Sequence, residues 1–119
     1  MREALVAVPD AVLDVAQLVA AAQDTWPDTV VSEDRLANVS VAWSRGADEH
    51  LELAFHPDGH GVGVDGEGPA LAAEAVVWLL RTAGLPPTAG AVLVGWASEL
   101  VPLDASTTVE ALLAANERW

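Results

Sequence analysis

Pro57, Asp58 and Gly59 stand between two stretches whose apolar residues alternate, Leu51, Leu53 and Phe55 before them and Val62 and Val64 after. Proline brings the fixed φ wanted at the first central position of a turn, aspartate bonds to nearby backbone amides, and glycine accepts the left-handed conformation that closes a tight reversal. The stretch "LELAFHPDGHGVGVDG" therefore reads as an antiparallel hairpin, and it constrains the fold more than any other feature. Its register stays open at residues 56–60. A two-residue Asp58-Gly59 turn puts Phe55 and Leu53 on the same face as Val62 and Val64. A three-residue Pro-Asp-Gly loop with a glycine bulge pairs His56 with His60 and sets Gly61 and Gly63 beside Phe55 and Leu53, and the turn chemistry favours this second arrangement.

The returning strand also spells G-x-G-x-x-G over Gly61 to Gly66. A dinucleotide-binding loop needs those glycines between a strand and a helix N-terminus, with an acidic residue about 20 positions on. The hairpin explains the glycines without a nucleotide. His56, Asp58 and His60 supply imidazole and carboxylate groups suited to a transition metal, but the set is local and lacks an obvious fourth ligand other than His50 at the far end of the strand. A small metal-dependent enzyme or ligand-binding domain on this hairpin is thus the alternative functional reading. None of Ser32, Ser40, Ser44, Ser98 and Ser106 lies in a nucleophile-elbow context such as G-x-S-x-G, so a serine triad is not expected.

Other elements follow from period and punctuation. "EALVAV" is a short buried strand ended by Pro9, and Asp10 caps a helix whose apolar residues Val12, Val15, Ala16, Val19 and Ala22 run to about Gln23. "DTWPDTVVSEDR" reads as a connection. Val39, Val41 and Trp43 alternate with Asn38, Ser40 and Ala42 as a half-buried strand. Pro69 and Gly84 bracket the helix "ALAAEAVVWLLRTA", apolar on nearly all sides, so it either fills the domain or meets a second copy in a homodimer. "AVLVGWA" is a further strand, Pro102 limits pairing after it, and Thr107 with Glu110 forms a capping box opening a last helix. The order β-α-β-β-β-α-β-α, with consecutive antiparallel strands, gives an α+β class: a mostly antiparallel sheet with packed helices, one domain over residues 1–119.

Charge is the strongest global signal, and it reads either as a functional surface or as a proteome-wide bias toward acidic, arginine-over-lysine proteins. The chain has 18 acidic residues, five arginines and no lysine, a formal charge of −13. Residues 1–67 carry −10 of it and residues 68–119 only −3. Such a surface repels nucleic acid and anionic membranes and steers basic partners toward itself. With 52% hydrophobic residues the chain has core material for folding, yet no apolar run is long enough for a membrane span, and "MREALVAVPDAV" is broken too early for a secretion signal. Cysteine is absent, which removes disulfides and thiolate chemistry and agrees with a cytoplasmic location. Trp43, Trp78 and Trp96 fit the core, whereas Trp26 and Trp119 lie where patterning does not demand burial. An aromatic anchor among acids suits a face that meets a basic protein, which puts Asp24, Trp26, Asp28, Glu33, Asp34, Asp48 and Glu49 forward as partner-binding residues.

The hairpin, the apolar helix beginning "EGPALAAEAVVWLL", the strand "AVLVGW" and the stretch "VPLDASTTVEALL" together resemble the small immunity proteins of bacterial polymorphic-toxin systems, the Sit type in particular. That resemblance implies a cytoplasmic inhibitor that binds and neutralises a cognate toxin, without catalysis and without a cofactor. It carries no fixed set of binding residues, because toxin contacts vary among members.

Overall fold

The computed structural model describes residues 2–45, 48–67, 69–86, 89–95 and 100–115. In chain order these form β1 (Arg2–Ala7), α1 (Val15–Thr25), β2 (Val30–Glu33), β3 (Val39–Arg45), β4 (Glu49–Phe55), β5 (Gly61–Glu67), α2 (Pro69–Ala83), β6 (Val92–Val94), β7 (Val101–Pro102) and α3 (Val109–Ala115). The seven strands make one antiparallel sheet in the order β2-β3-β4-β5-β1-β6-β7. The α+β expectation is met, with two strands more than the sequence suggested. Both additions, β2 and β7, are the sheet's edges.

Period-two alternation fixes which face is buried. Val41, Leu53, Val64 and Ala4 share one row across β3, β4, β5 and β1, and Phe55, Val62, Val6 and Leu93 share the next. All eight are buried, because the helices cover this face: α1 packs on β3, α2 lies across β4 and β5, and α1 and α3 flank α2. Leu71, Ala72, Ala75, Val76, Leu79 and Leu80 of α2 are thereby covered within the chain. Sheet and flanking helices cover most of the helix's apolar circumference. Trp43, Trp26 and Trp78 meet at the margin of this layer. Trp26 stacks on Trp43 with ring centroids 4.1 Å apart and touches Trp78 edge-on at 4.9 Å.

The hairpin register differs from the one that turn chemistry favours. Phe55 lies opposite Val62 and Leu53 opposite Val64, and the His56 N–H donates to Gly61 O at 3.1 Å. Gly61 rather than His60 therefore faces His56. The Gly59 N–H closes the turn onto His56 O, and Gly59 takes φ +77°. Burial decides the matter: slipping the pairing by one residue would put glycines where valines now fill the helix-covered layer.

The tip is also fastened from outside. The Val8 N–H donates to His60 O and the Leu13 N–H to Gly59 O, each at 2.8 Å, so the tip packs against the connection between β1 and α1. That contact accounts for a shifted helix start. Residues 9–14 run irregularly over the hairpin, with the Asp10 N–H donating to Ala89 O, and the cap of α1 is Asp14, not Asp10. Asp14 Oδ1 accepts from the Gln17 N–H at 3.1 Å, a bond of the kind that contributes about 1 kcal/mol. The last helix is offset too. Thr108, not Thr107, caps α3 by accepting from the Ala111 N–H, while Thr107 Oγ1 accepts from the Asp104 N–H.

Candidate acidic binding surface

The sheet face opposite the helices carries Ala42, Glu52 and Asp65 in one row and Ser40, Ala54, Gly63 and Leu5 in the next. Glu52 is exposed and the other six are half-buried. No described helix packs on this face. At the end nearest the β3–β4 turn it sinks into a hollow of about 550 Å³ bordered by Asp28, Val30, Ser44, His50, Glu52 and Asp65. Ser44 and His50 are cross-strand partners, and Ser44 Oγ lies 2.8 Å from His50 Nδ1. Three buried polar atoms lack a hydrogen-bond partner among the described residues: Asp65 Oδ1, Trp43 Nε1 and Thr29 Oγ1. Asp65 and Trp43 border the hollow, and Thr29 lies between the bordering residues Asp28 and Val30.

The acids singled out from the sequence divide between the two ends of β2. Asp28 precedes the strand and lies at the same end as Asp48 and Glu49 of the β3–β4 turn; Asp24, in the last turn of α1, lies a few residues before Asp28. Glu33 and Asp34 lie at the other end. Asp24, Asp28, Glu33, Asp34 and Asp48 are exposed, and Glu49 is half-buried. Asp34 is engaged within its own turn: its Oδ1 accepts from the Leu36 and Asn38 N–H groups at 2.8 and 3.0 Å, and its Oδ2 accepts from Asn38 Nδ2 at 2.9 Å. The Asn38 side-chain bond, helped by those backbone amides, holds its carboxyl below the usual carboxylate range. Trp26, expected to face a partner, is half-buried, and its stacking on Trp43 accounts for the ring from within the chain.

Asp58 Oδ1 accepts from the His60 N–H at 2.9 Å, and His60 Nδ1 lies 2.8 Å from Ala11 O and 3.1 Å from Val8 O. The carbonyl contacts assign the Nδ1 proton to His60, directing that nitrogen to the backbone. The His56 ring instead lies over Gly61, where an added Cβ would meet His56 Cδ2. Among the described residues no group of three or more His, Asp or Glu side chains is placed to hold a metal ion. A second hollow, of about 580 Å³, opens at the far side of the sheet between Leu80, Leu85, Ala91, Val92 and Leu103. Asp104, on its border, accepts from both the Ser106 hydroxyl and the Ser106 N–H, and the hydroxyl bond above all lowers its pKa.

Sequence reasoning missed the hollow because its members are far apart in the chain and meet only through the register of four strands. Trp96 and Trp119 lie outside the described residues. No described helix is long and apolar enough to cross a membrane. Comparison of the chain with family models, with curated proteins and with solved structures found no match.

Proposed function

We propose that the protein is a non-catalytic binder of a basic protein partner, of the immunity type, acting in the cytoplasm to neutralise a toxin domain. The observation that carries this reading is the concentration of acidic groups around β2 and the neighbouring hollow: Asp24, Asp28, Glu33, Asp48 and Glu52 are all exposed there. Charges of one sign on an open surface accelerate encounter with a cationic one, while exposed carboxylates contribute little to folding. The resemblance in element order to Sit-type immunity proteins supports the same reading.

The test takes the product of the adjacent reading frame as the partner candidate and measures association kinetics across a salt series. Wild type should associate more slowly as salt rises, since surface charges are screened beyond about 8 Å at physiological ionic strength. A variant combining Asp24→Lys, Asp28→Lys and Glu33→Lys should associate at least tenfold more slowly at low salt with little change in melting temperature. Asp34 and Trp26 are left intact because both serve the fold. Absence of binding at low salt, or equal rates for the variant and wild type at every salt, overturns the reading.

A further inference from the structure

Of the two outermost strands, β2 is the one equipped to accept another. All four of its residues are exposed, with Val30 67% and Val31 39% accessible. Among the described residues it pairs only with β3, from Val30 opposite Ala42 to Glu33 opposite Val39, so its other side presents backbone N–H and C=O groups with no described strand beyond. Proteins guard such an edge by keeping it short, with charged side chains, lysine above all, or with proline, a bulge or a covering element; β2 has four residues and a single charge, Glu33, which repels an acidic strand but attracts a cationic one. This chain has no lysine, β2 has no proline, its register with β3 runs without a bulge, and no described element beyond β3 packs along it.

The geometry points to β2 as the docking edge for an extended, positively charged segment of a partner protein, added to the sheet as an eighth strand. The inference rests on the basic-partner reading above and specifies the mode of contact. Backbone pairing supplies affinity in such additions, and alternate side chains supply selectivity. Charge selects the occupant. Asp28 stands at one end of β2 and Glu33 at the other, both exposed, so a cationic residue near each end of the added strand meets a carboxylate. The added side chain beside Val30 lies toward the hollow bordered by Asp28 and Glu52, and the exposed valines offer apolar contact between the charged ends. A second copy is a poor occupant, because each chain carries −13 and would bring its own acids to the same edge.

The probe is a capped heptapeptide of alternating valine and threonine with lysine at both ends. Its control keeps the side chains but carries N-methyl groups on alternate amides, in both possible phases, which removes the ladder hydrogen bonds. Affinity is read by titration, and the site by amide exchange and chemical-shift changes. The expected result is slowed exchange at Val30 to Glu33, at least tenfold weaker binding by one of the methylated phases, and weaker binding to an Asp28→Asn/Glu33→Gln variant. Several outcomes overturn the inference: no binding at millimolar peptide, equal binding by both methylated phases, shifts mapping away from β2, or self-association that protects the same amides. The two readings fail separately. Charge-dependent binding indifferent to methylation removes the docking edge and leaves the acidic surface. Ladder-dependent binding that persists when glutamine replaces both lysines keeps the edge and removes the basic partner.

Discussion

The two ends of the sheet solve one problem in opposite ways. At one end β7 is only two residues long and one of them is Pro102, so further pairing is blocked by length and by a missing N–H. At the other end β2 is twice as long, has no proline, and exposes two valines. Closing one edge and leaving the other open confines strand addition to the acidic half of the molecule. The difference also shows how unevenly the sheet is held, since β3 to β5 and β1 are covered by helices while β2 lies beyond them.

The sharpest way to break that contrast uses a single row. Val31, Val41 and Leu53 are neighbours across β2, β3 and β4, but Leu53 is fully buried while Val31 is 39% exposed. Leu53→Ala should cost about 2–5 kcal/mol by urea denaturation, the range for truncating a buried leucine. Val31→Ala should cost about 1 kcal/mol or less, because water already reaches much of the side chain. Equal losses would mean that β2 is covered in solution.

A smaller effect concerns how firmly the open edge is held. Ala37, in the turn that returns β2 to β3, has φ +63°, a conformation that costs an L-residue roughly 1–2 kcal/mol. Ala37→Gly removes that strain at some cost in chain entropy and should stabilise the protein by about 0.5–1 kcal/mol, read as a higher urea midpoint. A lower midpoint would mean that the turn relaxes to negative φ in solution.

The smallest effect is acid loosening of the same turn. Bonds from Asn38 and Leu36 keep the Asp34 carboxyl below its ordinary range, so their contribution is present above the usual carboxylate values and is lost as pH falls through the lowered one. The protection of the Leu36 and Asn38 amides, taken against the intrinsic exchange rate at each pH, should therefore fall in acid, with a midpoint below that of an unstructured aspartyl peptide. A midpoint at the ordinary carboxylate value, or no change in an Asp34→Asn variant, would show that these bonds do not persist in water.

Legibility in the sequence followed the same division between centre and edge. The alternation of Leu51, Leu53 and Phe55 and the bracket of Pro69 and Gly84 announced β4 and α2, because burial imposes a period there. β2 went unread because "VVSE" has both faces near water, so no period marks it, and Pro27, Asp28 and Asp34 around it suggest a loop. Turn chemistry chose the wrong register at Gly59 because it weighs four residues, while the burial of Phe55 against Val62 weighs the whole layer. The acids of the proposed binding surface were readable as charge, but not the separate tasks of Asp34 and Trp26, which depend on Asn38 and Trp43.

The place of β1 has a consequence for how the chain comes off the ribosome. β1, which precedes the other described strands in the chain, sits inside the sheet, with Val6 opposite Val62 on one side and Leu93 on the other. It must wait for both, and pairings this distant in sequence are slow to form. Until β6 emerges, a nascent chain holds Leu5, Val6 and Ala7 with one side unpaired. The interval between synthesis of β5 and β6 therefore leaves that side open to pairing with the wrong chain, and translation speed across α2 sets how long it lasts.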